Sequence, residues 1–154
     1  MRNRLLGLIF ISFMIISGCA KPPENSITFA VGGSPNEVTF WEEIIQEFEE
    51  ETGITVNLQR QPTDTDQRRQ GLIIPLQAKK KDPDVFLMDI AWISQFAESG
   101  WLLEIAKEDI TGKNVIDTEP FFQNVIELSD IYSGELLALP VYIDGGLLYY
   151  RKDL

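Results

Sequence analysis

Ile27-Thr28-Phe29-Ala30-Val31-Gly32-Gly33-Ser34-Pro35-Asn36-Glu37 passes from a β-branched and aromatic run, through a glycine pair, into a helix start. Residues 27–31 read as a strand. Ser34, Pro35 and Glu37 fit a capping box with proline at the first helical position. Phe40, Trp41, Ile44, Ile45 and Phe48 then recur at helical spacing, with Glu42, Glu43, Glu47, Glu49, Glu50 and Glu51 on the other face. An amphipathic helix follows the first strand, and Gly53 ends it. Residues 54–58 make a second strand and 65–80 a second helix, which Pro75 is expected to kink or split. Pro83 and Asp84 open a third strand at 85–88, apolar on both faces and therefore expected at the centre of the sheet. Residues 93–99 form a short helix stopped by Gly100, 121–128 look helical, and 136–142 and 146–150 read as two more strands. Strand alternating with helix through short connections predicts an α/β fold, with parallel strands joined by right-handed crossovers.

Upstream of this body, Arg2 and Arg4 precede an apolar run at 5–16. That run falls short of the roughly 20 residues a membrane-spanning helix needs, so residues 1–18 read as a secretion signal. Ile16-Ser17-Gly18-Cys19 resembles the bacterial lipobox, in which the cysteine becomes the lipidated first residue; the alternative is a non-lipidated signal with a chance cysteine. Residues 19–26 are polar and proline-containing, a tether holding the body off a membrane surface. The 154 residues carry a net charge of −11, no histidine and a single cysteine. Removing the leader takes away two arginines and no acid, leaving 11 basic and 24 acidic residues and a net charge of −13. Such acidity does not suit nucleic acid. The absence of histidine excludes Ser-His-Asp and Cys-His nucleophile systems and histidine-ligated zinc, and one cysteine allows no internal disulfide.

In open α/β sheets, ligands bind beyond the carboxyl ends of the strands. That rule selects Gly32-Gly33 after the first strand, Asp89 after the third, and Tyr142 with Asp144 near the fourth. The starts of the first two helices add Asn36-Glu37 and Gln67-Arg68-Arg69. Carboxylates that accept from neighbouring hydroxyls, an arginine fork that donates to them and an aromatic face for C–H groups are the chemistry of hydroxyl recognition. Each residue also has a plainer role: Glu37 in the capping box, Asp89 capping the turn before Ala91, Arg68 or Arg69 as a solvated charge, Tyr142 in the core, and Asp144-Gly145-Gly146 as a turn. Arg68 and Arg69 lie about 100° apart on a helix, so one at most is expected to face a cleft. Trp41, Trp92 and Trp101 read as packing residues.

The segments 29–37, 63–69, 82–92 and 138–153 resemble the extracellular solute-binding proteins of ABC sugar importers, and within that family the trehalose/maltose-binding proteins. The long segments that carry this likeness are Asp82-Pro83-Asp84-Val85-Phe86-Leu87-Met88-Asp89-Ile90-Ala91-Trp92 and Pro140-Val141-Tyr142-Ile143-Asp144 with the residues around them. The resemblance implies a two-lobed, type II periplasmic-binding-protein-like fold. It also implies capture of an α-linked disaccharide, delivery to ABC permease subunits, no catalysis and no cofactor. It places sugar-binding roles on Glu37, Arg68, Asp89, Tyr142 and Asp144. Pro75 departs from the family's unbroken helix. Family members are much longer, so residues 27–154 are expected to be an incomplete N-terminal lobe with half a site. Two other functions fit the residues: a glycoside hydrolase using Asp89 and Asp144, which needs two carboxyls about 5–9.5 Å apart, and a non-catalytic surface lipoprotein.

Overall fold

A computed structural model describes residues 25–105, 116–144 and 146–153. The expected signal peptide, the lipidation site at Cys19, nearly all of the tether, and Gly145 lie outside the described residues.

The leading strand β1 (Ser26–Gly32) is followed by α1 (Pro35–Thr52), β2 (Thr55–Gln61), α2 (Thr65–Gln77) and a short β3 (Val85–Phe86). All three strands are parallel, in the order β2-β1-β3. Ser26 to Gly32 run in register with Thr55 to Gln61 along the whole length of β1. The alternation read from the sequence therefore produces the expected α/β sheet, with one difference. The central strand is β1, not β3. Val85 remains 48% exposed, whereas Ala30 and Val31 are fully buried between the layers. Of residues 85–88, only Val85 and Phe86 pair as a strand, on the β1 side alone, so the apolar run does not reflect a neighbour on each side.

Local signals account for the helix ends. The Glu37 carboxylate accepts from the Ser34 N–H at 2.6 Å at the start of α1. Gly53 closes that helix in the left-handed region, φ 69°, donating its N–H to the Glu49 carbonyl. Asp64 caps α2 by accepting from the Gln67 N–H at 2.9 Å. Pro75 does not split α2. It sits two residues before the helix ends, and the carbonyl of Gly71 that it cannot serve belongs to an exposed residue.

Adjacent residues of β1 point to opposite faces. Phe29 meets Trp41 of α1 edge-to-face with centroids 5.2 Å apart. Ala30 packs instead with Leu72 of α2, with Trp92 of a single 3₁₀ turn (Ile90–Trp92), and with Phe96 of α3 (Ile93–Glu98). The sheet thus lies between α1 and the α2–α3 layer. Trp92 and Trp101 pack around Phe96, as their packing reading predicts. Trp41 is half-buried. The entrance to β3 is tied to the centre: the Thr28 N–H donates to Asp84 at 2.8 Å and the Thr28 hydroxyl to Asp82 at 3.2 Å.

Beyond residue 116 the structure is less regular. A short helix α4 (Gln123–Val125) passes into a π-turn (Ile126–Asp130), and β4 (Ile131–Tyr132) pairs antiparallel with β5 (Glu135–Leu136). The helical reading of 121–128 holds in part, starting later and ending in the wider turn. The two strands expected at 136–142 and 146–150 do not form. Leu136 pairs at its start, while Leu147, Leu148, Tyr149 and Tyr150 are each at least 75% exposed, because a strand forms only where a neighbour satisfies its backbone groups. Asp130, unremarked in the sequence, is buried. One carboxylate oxygen accepts from the Ser129 hydroxyl at 3.0 Å, the other has no partner among the described residues, and burial pushes its pKa above the usual aspartate value. No described helix is long and apolar enough to cross a membrane.

Candidate functional site

The carboxyl end of β1 is built by two glycines that let side chains lie against the backbone. A Cβ on Gly32 would overlap Arg68 Cδ and stand 2.7 Å from the Pro62 carbonyl oxygen; one on Gly33 would stand 2.8 Å from Glu37 Oε2. Arg68, from the first turn of α2, therefore lies over Gly32, and Glu37, from the first turn of α1, lies over Gly33. The connection between β2 and α2 is held to the same place by the Thr63 hydroxyl, which donates to the Gly33 carbonyl at 3.1 Å.

Glu37 and Arg68 sit close enough for the guanidinium to act on the carboxyl. The Glu37 pKa lies below the usual glutamate value. The Ser34 backbone N–H contributes most to this, then the Ser34 hydroxyl, and the charge of Arg68 adds to both. Glu37 is thus both a capping-box residue and a carboxylate aimed at the strand end. Arg68 is half-buried and donates through Nη2 to the Thr65 hydroxyl at 3.2 Å. Its Nε is buried without a partner among the described residues. Arg69 is likewise half-buried with an unpartnered Nε, so it is not the fully solvated charge the helical spacing allowed.

Asp89 stands three residues after β3, at the same carboxyl edge of the sheet, and is exposed. It makes the plainer of its two expected interactions, accepting from the Ala91 N–H at 2.9 Å to cap the 3₁₀ turn. Tyr142 and Asp144 are exposed, on a stretch without regular structure. Tyr142 is not core; it lines a shallow pocket with Pro120, Phe121, Phe122, Pro140, Val141 and Ile143. No hydrogen bond, ion pair or ring contact among the described residues joins Tyr142 or Asp144 to Glu37, Arg68 or Asp89. The structure brings Glu37 and Arg68 together, leaves Asp89 at the same sheet edge, and holds Tyr142 and Asp144 on a separate segment. Sequence reasoning missed Thr63 and Thr65, which position the β1 end and Arg68. The one local signal for them is their place beside the Asp64 cap.

A prediction follows from the depressed Glu37 pKa. A carboxyl whose folded-state pKa is lowered stabilises the fold above its unfolded value, and that contribution is lost as pH falls through the folded value. Glu37→Gln retains an acceptor for the Ser34 N–H but not the charge. At neutral pH wild type is therefore expected to melt above Glu37→Gln, and Glu37→Gln above Glu37→Ala. The first gap closes on acidification below the ordinary carboxylate range. Thermal melts across pH check this; a gap that persists at the acid end contradicts it.

The family of bacterial extracellular solute-binding proteins matches residues 32–154. A probable ABC transporter-binding protein of Deinococcus radiodurans is 30% identical over 103 residues, spanning 67% of this chain and 23% of that protein. The maltose-bound MalE3 protein of T. maritima superposes with a TM-score of 0.65 at 22% identity, over 75% of this chain and 28% of its own. A solute-binding protein of Thermotoga lettingae solved with α-D-tagatose gives a TM-score of 0.60 at 30% identity, over 73% and 28%. The α/β fold thus corresponds to part of the type II periplasmic-binding-protein fold, and the chain spans about a quarter of the length of the relatives it matches. The match runs through the glycine at the end of β1, the Arg68 helix start and the Asp89 turn, and by it the chain belongs to the family of bacterial extracellular solute-binding proteins.

Proposed function

We propose that the chain supplies the first lobe of an extracytoplasmic lipoprotein that captures an α-linked disaccharide, trehalose or maltose, for an ABC importer. In this reading Cys19 carries the lipid, 19–26 is the tether, and 27–154 is the lobe. Glu37, Arg68 and Asp89 contact sugar hydroxyls from the sheet edge, and Tyr142 and Asp144 join them when the second lobe closes over the ligand. The observation that supports this most is the Glu37–Arg68 juxtaposition over Gly32-Gly33. An exposed carboxylate acceptor and a half-buried guanidinium stand side by side at the strand end, each lying against a glycine. A neutral, hydroxyl-rich ligand satisfies both without bringing a charge of its own.

Titration of the full chain with maltose and with trehalose, followed by amide chemical shifts, tests this. A half-site should bind weakly, with a Kd on the order of millimolar or above. The shifts should concentrate at 32–37, 63–68 and 89–91 and vanish in Arg68→Ala. Shifts that survive Arg68→Ala, or that map elsewhere, overturn the site. Micromolar binding overturns the expectation that a second lobe completes it.

A further inference from the structure

The α1 helix does not bury the whole of its apolar side. Trp41 and Ile45 are half-buried and Val38 is buried, but Phe40 is 57% exposed, Ile44 38% and Phe48 37%. These three residues are spaced by four, so they form one continuous row along the helix surface. The face predicted from the sequence as a single packing surface is therefore two surfaces, one turned to the sheet and one turned out.

A second row runs beside the exposed one. Glu43, Glu47 and Glu51 each follow an exposed apolar residue by three positions, which sets them about 60° around the helix and about 4.5 Å further along it. The other glutamates of α1 are occupied. Glu37 accepts from Ser34, Glu42 pairs with Arg60, Glu49 accepts from the Val56 N–H at 2.7 Å, and Glu50 accepts from Gln46 at 3.0 Å. Glu43, Glu47 and Glu51 have no hydrogen bond or ion pair among the described residues. The helix contains seven glutamates and no lysine or arginine.

An apolar row edged by an unpaired acidic row selects its occupant. A second copy of this helix would set glutamates against glutamates, and an anionic membrane surface is repelled in the same way. The complement is a helix with its own apolar row flanked by lysine or arginine, which buries the phenylalanines and neutralises the row at once. We propose that this face of α1 is the docking surface for a basic amphipathic helix of a partner protein. The proposal is independent of the sugar reading, because none of the residues involved lies at the end of β1.

The test uses the full chain and two synthetic helical peptides. One has leucine at every fourth position and a lysine three positions after each leucine; the other has glutamate in place of lysine. The lysine peptide is expected to bind at least about tenfold more tightly, weakening with added salt. It should protect the amides of α1 from hydrogen exchange. Phe40→Ser with Ile44→Ser, and separately Glu43→Lys with Glu47→Lys and Glu51→Lys, should each lower its affinity by about tenfold or more. The charge-reversed variant should gain binding to the glutamate peptide. That gain separates a lost surface from a lost fold, as does an unchanged melting midpoint for each variant. Equal binding of the two peptides, variants that bind as wild type does, or protection outside α1 overturns the proposal. So does a longer form of the protein in which α1 is already protected and the lysine peptide no longer binds, for then the face is an internal seam.

Discussion

Gly32→Ala is expected to destabilise the chain by about 2–3 kcal/mol, within the range for forcing a group into a packed site, and to displace Arg68 from the strand end. Two obstacles stand where the new methyl must go. The first is the Arg68 side chain, which is flexible and can swing out. The second is the Pro62 carbonyl oxygen, only 2.7 Å from the Cβ position and fixed by the backbone between β2 and α2. That connection is itself fastened to β1 through the Thr63–Gly33 hydrogen bond, so it cannot yield without loosening the site. A double-mutant cycle with Arg68→Ala separates the two. Removing Arg68 should recover roughly 1 kcal/mol of the loss, the coupling expected for residues in contact, and leave the backbone part. Urea denaturation of the four proteins measures it. Additive losses would mean that Arg68 does not lie over Gly32. Whatever sugar response the chain has should disappear in Gly32→Ala even where the protein stays folded, since the guanidinium no longer stands beside Glu37.

What could be read from the sequence is what the chain settles within a few residues. The capping box at Ser34 and Glu37, the helix stop at Gly53 and the β-rich run of β1 each rest on local stereochemistry, and each appears where expected. The parallel topology follows from their order. The central position assigned to β3 fails because an apolar run records how hydrophobic a strand is, and not which neighbours it finds. The strands expected at 136–142 and 146–150 fail for the same reason. Val141, Tyr142, Tyr149 and Tyr150 have strand-forming character, yet no adjacent strand accepts their backbone groups among the described residues. At the candidate site, the strand ends and helix starts pointed to Asp89, Glu37 and Arg68 as neighbours along one edge of the sheet. That reasoning offered the Asp89 cap as one of two roles without choosing between them, and it could not show that Tyr142 and Asp144 lie on a separate segment or that Thr63 holds the β2–α2 connection. The Thr63 contact joins residues thirty apart in the chain, which local stereochemistry does not encode.

The largest loss of stability is expected from Phe96→Ala. Phe96 is fully buried and touches every aromatic wall of the α2–α3 layer. Phe86 of β3 lies 6.1 Å away by ring centroids, Trp92 stacks at 6.0 Å, and Trp101 meets it edge-on at 5.3 Å. Truncating a buried phenylalanine costs about 3–5 kcal/mol through lost transfer energy and the cavity left behind. Here the rigid indoles on two sides limit any collapse into the gap, which favours the upper part of that range. The consequence is larger than the number suggests. The buried cluster on this face comprises Ala30, Leu72, Trp92 and Phe96, and the opposite face is covered by a helix that leaves Phe40, Ile44 and Phe48 outside. Domain stabilities of about 5–15 kcal/mol assume a fuller core than this, so Phe96→Ala should abolish cooperative unfolding at room temperature. Phe96→Leu, which keeps most of the volume, should unfold cooperatively at a lowered midpoint. Near-ultraviolet circular dichroism reports the packed indoles directly. Its loss in Phe96→Ala with helix signal retained would locate the damage in this layer. An undiminished signal with a wild-type melt would mean that the sheet is held chiefly from the α1 side, through Phe29 and Trp41.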